Sequence, residues 1–381
     1  MSLMMSLTAL SIDAMLPALP EIGVDLGVQN DNSRQLVIST IFLGIALGQL
    51  FFGPLSDKTG RKPAIYIGYA LFSAGAILSA VSTNYPVMLA GRLLQGLGIS
   101  APRAITLAIV RDRYEGRMMA RVMSFTMTVF ILVPMIAPTL GQTILLFSSW
   151  RSIFLAYVVI AALTMIWFAV RMPETHLPEN RKGFSIRSLF DSTLKILKNR
   201  QSLGYTVSAG LISGAFIGYL NSSQQIFQEQ YHLGELFPLV FAIISLSVGA
   251  ASFINARLVL RYGMRFLVRW SLNIILLLGL IGIILALAYS GHPPLGFLMA
   301  YIMLTFFGVG ILFGNQNSLA MEPLGDLAGL GSAIIGSLST FISMPLGTLI
   351  GQAYNDTITP LIIGIILMSG ISILIVRWAE S

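Results

Sequence analysis

The stretch GPLSDKTGRKP, residues 53–63, concentrates charge between two long apolar segments. Asp57, Lys58, Arg61 and Lys62 all fall within it. Each flanking segment is apolar over about 20 residues, the length of helix that crosses the roughly 30 Å hydrocarbon core of a bilayer. The stretch is therefore predicted to be a short loop that joins two membrane helices.

The composition of the whole chain is typical of a membrane protein. Of its 381 residues, 55% are hydrophobic and only 10% are charged, and the mean hydropathy is +0.82. A soluble domain carries about 25% charged residues. The chain has no cysteine, which excludes disulfides and thiolate metal sites. We expect no metal and no cofactor.

Glycine, proline and charge clusters divide the chain into twelve predicted membrane helices. The first six lie near 1–22, 35–55, 64–82, 86–110, 118–146 and 152–170. The other six lie near 203–226, 237–258, 265–289, 295–318, 331–354 and 359–378. The first segment is interpreted as a helix and not as a signal peptide, because no basic residue precedes its apolar part and Asp13 interrupts it.

The polar segment 171–202 separates the two sets of helices, and its second part is predicted to form an amphipathic surface helix. The fold class is thus an all-α membrane protein. Its predicted parts are an N-terminal six-helix bundle at 1–170, a cytoplasmic linker at 171–202 and a C-terminal six-helix bundle at 203–381.

The distribution of Lys and Arg predicts the orientation. With a cytoplasmic N-terminus, all but four of the 23 basic residues fall in cytoplasmic loops or at the adjoining helix ends. The exceptions are Arg34 and Arg151 outside, and Arg92 and Arg103 within a predicted helix. This bias predicts that both termini are cytoplasmic. It also explains the net charge of +7 without nucleic-acid binding.

The loop at 53–63 resembles the signature of the major facilitator superfamily, roughly G-x-L-a-D-r-x-G-r-K, with Lys58 in place of the usual arginine. The matching residues are Gly53, Leu55, Asp57, Gly60, Arg61 and Lys62. Physically, Gly53 permits close helix contact, and Gly60 permits a tight turn. Asp57 is expected at a helix N-terminus, where partial positive charge collects.

This resemblance implies a cytoplasmic latch. In the family, the final arginine of the loop pairs with an acid at the cytoplasmic end of helix 4, and the pair breaks and reforms as the transporter alternates. Asp112, in VRDRYEGR, is the matching candidate for Arg61. The alternative is that both side chains are solvated loop charges, because surface ion pairs contribute little energy.

Residues 89–101, LAGRLLQGLGISA, look like the helix 4 pattern R-x-x-q-G-x-g-a of the same superfamily. Arg92 is then an intramembrane arginine, which is costly unless it is paired or faces a cavity. Arg103 follows eleven residues later, which brings both side chains to one helix face about 16 Å apart. We expect this face to point inward, and Arg103 is a candidate for the substrate cavity.

Asp13 is the one acid that falls deep inside a predicted helix. Its segment, ALSIDAMLPALP, closely resembles the helix 1 signature of the bicyclomycin and chloramphenicol resistance (Bcr/CflA) subfamily, drug/proton antiporters with twelve helices. Burial raises the pKa of a carboxyl group and a nearby arginine lowers it, so the balance can place the titration near neutral pH. The hypothesis is that Asp13 couples transport to protons with Arg92 as its partner. The alternative is a structural ion pair that fixes helices 1 and 4.

Three further stretches look like this subfamily. Residues 130–142, FILVPMIAPTLGQ, are similar to the antiporter signature g-x-x-x-G-P-x-x-G-G, and the matches at Pro138 and Gly141 predict a kink in helix 5. The other glycines of that signature are replaced, which weakens its close-packing part. The stretches SSWRSIF and MPET, on either side of helix 6, also look like the subfamily.

Polar and small residues inside the predicted helices have two interpretations. Asn221 and Asn315 in the second half are candidates for substrate contacts, with hydrogen bonds between helices as the equal alternative. Repeated glycines such as Gly44 with Gly48 predict close helix packing.

The sequence therefore predicts a monomeric transporter in a bacterial inner membrane. Its two pseudo-symmetric bundles would expel small amphipathic molecules as protons enter, by alternating access. A solute/proton symporter or an exporter of a specific metabolite is the alternative. The predicted partners are a small-molecule substrate, protons and lipid. An enzyme is not indicated, because the sequence has no phosphate-binding loop or zinc-protease motif.

Overall fold

The computed structural model describes residues 1–181 and 186–381. Within them, the side chains at 117, 120, 124, 127, 128, 130, 131, 180, 186–189 and 326–329 fall outside the description. The described backbone forms helices, turns and loops, and it contains no strand.

The first half contains six long helices. They are α1, Ser2–Asp25, with a tighter turn at Leu16–Ala18; α2, Leu36–Thr59; α3, Arg61–Ala80; α4, Tyr85–Arg113; α5, Gly116–Phe147; and α6, Arg151–Arg171. A linker helix follows at Ile186–Lys198, where the sequence predicts an amphipathic surface helix.

The second half contains six more long helices. They are α7, Arg200–Gln224; α8, Phe237–Tyr262; α9, Met264–Ala288; α10, Leu295–Met321; α11, Ala328–Gln352; and α12, Thr359–Glu380. Among the described residues, eleven helices are long and apolar enough to cross a membrane, and the described apolar part of α5 is Leu132–Phe147. The predicted all-α membrane fold is confirmed.

The chain forms two compact units, Met1–Ser192 and Thr193–Ser381. In the first unit, α2 and α3 both pack along α4. In the second unit, α11 and α12 both pack along α7. α4 and α7 are thus each covered by two neighbouring helices, and this packing explains why they bury polar side chains that would be costly in lipid.

Glycines allow α2 and α4 to approach each other closely. A methyl group at Gly96 would collide with the backbone carbonyl of Ile41, and one at Gly44 would collide with the carbonyl of Leu93. At Gly48 it would collide with the Ser100 hydroxyl. Helices in lipid associate mainly through such van der Waals contact, because lipid tails are as apolar as the side chains. The predicted packing role of Gly44 and Gly48 is confirmed.

A glycine pair tests this packing. Gly96→Ala is expected to lower the free energy of unfolding by about 1 to 3 kcal/mol, because the methyl group has to displace backbone atoms. Gly314→Ala is the matched control, since a Cβ there meets no atom within 4 Å, and it should change the free energy by at most about 1 kcal/mol. Thermal unfolding in detergent measures both, and equal melting temperatures would contradict the packing argument.

Candidate functional site

The loop at 53–63 forms one tight turn between two helices. α2 ends at Thr59 and α3 begins at Arg61, so Gly60 alone makes the turn. Its φ of +104° lies in the region that L side chains rarely adopt. A Cβ at Gly60 would also come within 2.7 Å of a Glu174 carboxylate oxygen. Both the conformation and the lack of space therefore require glycine here.

The acid at the N-terminus of α3 is Glu174, from the segment after α6. Its carboxylate oxygens accept the backbone N–H groups of Arg61 at 2.9 Å and Lys62 at 3.0 Å. The expectation that Asp57 occupies such a position is wrong, because Asp57 lies in the last turn of α2. A carboxylate at that end of a helix is unfavourable, and the neighbouring Arg61 guanidinium compensates it.

Backbone donors lower the pKa of Glu174. Partial burial of its carboxylate opposes ionisation, but N–H groups of His176, Lys62, Arg61 and Thr175 favour the charged form and outweigh burial. Glu174 is therefore held as an anion at neutral pH. Its negative charge complements the partial positive charge at the start of α3.

Arg61 joins the ends of α2 and α4. Its guanidinium contacts the Asp57 carboxylate at 2.5 Å and the Asp112 carboxylate at 2.9 Å. It also donates to the Ser56 hydroxyl at 2.8 Å. Arg61 is only 7% exposed, so these contacts compensate a largely desolvated cation. The structure thus brings together the predicted latch residues Asp57, Arg61 and Asp112.

The segment after α6 adds two more contacts to this cluster. The Thr175 hydroxyl donates to Asp112 at 3.1 Å, and the His176 ring lies 3.2 Å from the Asp57 carbonyl oxygen. Residues 174–176 therefore connect to α2, α3 and α4 at once. Gly53, one turn before Asp57, is partly exposed, and its carbonyl accepts a bond from Ser56.

Asp13 lies at the end of the first helical segment of α1 and is 5% exposed. No hydrogen bond or ion pair joins its carboxylate to another group in the described part of the chain. Gly141 on α5 packs beside it, because a methyl group at Gly141 would collide with the Ala14 carbonyl. Asp13 is thus buried where two helices touch closely.

Arg92 on α4 is fully buried and binds neutral groups. It donates to the Val37 carbonyl and to the Gln95 side chain, both at 3.0 Å, and its guanidinium lies 5.8 Å from the centre of the Phe154 ring. Its Nη2 atom has no partner among the described residues. The predicted direct pairing of Arg92 with Asp13 is wrong, because the described contacts of the guanidinium are to Gln95, one turn along α4, and to the Val37 carbonyl on α2.

Tyr157 on α6 lies close to both buried charges. Asp13 and Arg92 both lie within electrostatic reach of its side chain. Its hydroxyl donates to the Leu10 carbonyl on α1 at 3.2 Å. Tyr157 could not be predicted from the sequence, because nothing in the one-dimensional pattern distinguishes it from the other aromatic residues that line a helix bundle.

Three predicted residues of the first half remain: Arg103, Pro138 and Gly141. Arg103 is half-buried on α4 and has no ion pair with a described side chain. Helix α5 continues through Pro134 and Pro138 without interruption of its helical backbone. The kink at Pro138 stays a prediction, whereas Gly141 supplies close contact to α1 even though the other signature glycines are absent.

The two asparagines of the second half bridge helices. Asn221 on α7 donates to the Gly347 carbonyl on α11 at 3.1 Å. Asn315 on α10 donates to the Asn255 side chain on α8 at 2.8 Å. Both are buried. These contacts favour the interpretation as hydrogen bonds between helices, and their role toward substrate stays a prediction.

A third cluster ties the far end of α1 to the start of α6. Asp25 accepts a bond from the Trp150 indole at 3.1 Å and pairs with Arg151 at 2.5 Å. Arg151 also donates to the Ser82 carbonyl after α3. Trp150 and Arg151 belong to the SSWRSIF stretch, so that resemblance indicated the position without indicating the partner.

Glu174→Gln tests the cap of α3. Because the Glu174 pKa is lower in the folded chain, its stabilisation is present above the unfolded value of about 4.3 and is lost as pH falls through the folded value. The free energy of unfolding of the variant should be about 1 kcal/mol lower at pH 7, which is the usual effect of removing a helix cap at a partly exposed position. This difference in the free energy of unfolding between variant and wild type should become smaller below about pH 4. Thermal unfolding in detergent measures it, with exposed Glu179→Gln as the control; a deficit independent of pH would refute the electrostatic cap.

Comparison with known proteins agrees with this architecture. The chain is 32% identical over 352 residues to the uncharacterized MFS-type transporter YdgK of Bacillus subtilis, covering 91% of this chain and 86% of that one. It is 29% identical over 355 residues to a bicyclomycin resistance protein homolog of Haemophilus influenzae, covering 92% and 87%. The crystal structure of the human organic anion transporter MFSD10 (TETRAN) matches with a TM-score of 0.74 at 18% identity, over 99% of this chain and 97% of that one, and this likeness establishes the fold.

The sequence profile described as the Major Facilitator Superfamily matches residues 1–348. This match covers all of the first half and most of the second. The chain belongs to the Major Facilitator Superfamily.

Proposed function

We propose that the protein exports small amphipathic molecules in exchange for protons, as a monomer in a bacterial inner membrane with both termini in the cytoplasm. The name of the Haemophilus relative, a bicyclomycin resistance protein homolog, supports drug export. The bias of basic residues supports the orientation. In this proposal, the linker at 171–202 joins the bundles at 1–170 and 203–381, and transport proceeds by alternating access.

The buried carboxyl of Asp13 is the observation on which the proposal rests. An ionised carboxylate without an ion pair is costly in a low-dielectric interior. Asp13 therefore favours its neutral form until water or a positively charged substrate reaches it. If proton and substrate stabilise the site in turn, a proton enters for each substrate released. Antiport follows because the proton and the substrate occupy the site in turn and not together.

The positive charge of the buried Arg92 allows the Asp13 carboxyl group to release its proton. Because Arg92 binds neutral partners, its positive charge is not cancelled by a contacting acid. The positive field favours an ionised Asp13 and offsets part of the desolvation cost. In the proposal, Arg103 lines the substrate cavity on the same helix, and Asn221 and Asn315 remain candidates there.

The cluster around Arg61 serves as a latch in this proposal. It holds α2 and α4 together through a desolvated arginine with two carboxylate partners. Separating either carboxylate would remove one of the two ion pairs of a buried cation, which is costly. The intact cluster therefore stabilises one state of the cycle.

Asp13→Asn tests the coupling role. The variant should insert normally but lose proton-coupled export, because an amide cannot exchange a proton. Everted membrane vesicles are energised so that their interior becomes acidic, and ethidium is added as the probe within a compound panel. In wild type, probe addition should release protons from the vesicle interior as the probe accumulates. Asp31→Asn, an exposed loop carboxylate paired with Arg34, is the matched control and should behave as wild type.

The same assay separates the alternatives. A solute/proton symporter would not accumulate the probe inside vesicles whose interior is acidic. An exporter of one metabolite would release protons with a single compound of the panel and not with ethidium. Undiminished proton release by Asp13→Asn would refute the coupling role of this carboxyl.

Arg61→Ala tests the latch. Transport into proteoliposomes should slow by about tenfold, which corresponds to about 1.4 kcal/mol in the barrier. Arg61→Lys should slow it less, because the cation remains but the forked geometry is lost. Arg111→Ala, an exposed arginine at the same helix end, is the control. Equal rates in all four proteins would count against a latch.

A further inference from the structure

The hydroxyl of Tyr157 is bound to the turn of α1 that carries Asp13. Tyr157 is 1% exposed, and its ring packs edge-on against Phe154 with centroids 5.9 Å apart. Its hydroxyl donates to the Leu10 carbonyl. Leu10 lies three residues before Asp13, which is less than one helical turn. Tyr157 thus contacts α1 at the level of the buried carboxyl.

The Leu10 carbonyl does not depend on this hydroxyl. It already accepts the Ala14 backbone N–H at 3.1 Å, as part of the regular helix. A carbonyl oxygen has two lone pairs, so it stays satisfied with one donor. The Tyr157 hydroxyl can therefore rotate away without leaving a buried acceptor unpaired.

Few charged groups surround Asp13. Helix α4 contributes Arg92, and α6 contributes Tyr157, which interacts electrostatically with both. The described apolar part of α5, Leu132–Phe147, has no ionisable side chain. On α1 itself, Glu21 lies about two turns and Asp25 about three turns along from Asp13, and both contact the Trp150 and Arg151 cluster. Tyr157 is thus a hydrogen-bond donor close to a carboxylate that has no partner in the described chain.

We propose that Tyr157 is a positioning residue for proton exchange, whose hydroxyl turns from the Leu10 carbonyl toward Asp13 when that carboxyl releases its proton. The inference rests on the proposed function. In the step, the proton of Asp13 passes to water, and Tyr157 keeps its own proton and only changes its acceptor. No bond is made or broken in the phenol.

This mechanism predicts opposite effects for two changes at one position. Tyr157→Phe removes the donor that stabilises the ionised carboxylate, so Asp13 should keep its proton to a pH about one unit higher. A 3-fluorotyrosine at position 157 has a more acidic hydroxyl and is a stronger donor. It should move the titration midpoint to lower pH. A residue that merely packs would move the midpoint in neither case.

The experiment needs no cargo. Purified protein in lipid nanodiscs is titrated by infrared difference spectroscopy of the protonated carboxyl C=O band. The band of Asp13 is assigned by its loss in Asp13→Asn. Tyr69→Phe is the matched control, because Tyr69 is equally buried and its hydroxyl has no partner among the described residues. Its midpoint should equal that of wild type.

Opposite shifts in the two Tyr157 proteins, with an unchanged Tyr69→Phe midpoint, support the inference. An unchanged midpoint in Tyr157→Phe overturns the inference about Tyr157. The proposed function still stands in that case, provided that the Asp13 band of wild type titrates. If Tyr157→Phe fails to fold, the fluorotyrosine protein decides, since it keeps the hydroxyl and the ring. Absence of a titrating Asp13 band from wild type overturns both the proposed function and this inference.

Discussion

A charged side chain that is removed from water has to be compensated inside the protein, and this constraint organises the first unit. Arg61 meets it with two carboxylates and a hydroxyl. Arg92 meets it with a carbonyl, an amide and an aromatic ring. The carboxyl group of Asp13 is the exception, because it has no hydrogen-bond or ion-pair partner among the described residues. The three sites therefore differ in how readily their charge can change. A fully compensated ion pair is stable, whereas a carboxyl without a partner responds to whatever approaches it.

The hydropathy of the chain predicts its helices well because the bilayer imposes a length on every apolar segment. Predicted and observed boundaries agree closely at α10, predicted near 295–318 and observed at Leu295–Met321. Gly60 could also be predicted, since a turn of one residue between two helices requires a positive φ. These features depend only on neighbours in the sequence.

Contacts between distant residues could not be predicted in the same way. Asp57 carries the right charge for a helix N-terminus, but Glu174, 113 residues from Arg61, occupies that position. Arg92 and Asp13 have opposite charges, which predicts an ion pair, but the hydrogen bonds of Arg92 go to neutral groups. Tyr157 could not be identified from the sequence, because the role of its hydroxyl depends on the contact with α1. Charge and spacing identify the groups that need partners, and the fold alone determines which partners are within reach.

The contacts of α1 bear on how Asp13 could change its surroundings. α1 is held by Tyr157 at Leu10, by close packing of Gly141 at Ala14, and by Trp150 and Arg151 at Asp25. A helix fixed at three levels by α5 and α6 has little freedom to move within its own unit, since packed interiors transmit strain and do not yield smoothly. Any change in water access to Asp13 then has to come from motion outside these contacts. The alternating access proposed for transport therefore requires a motion that leaves all three contacts intact.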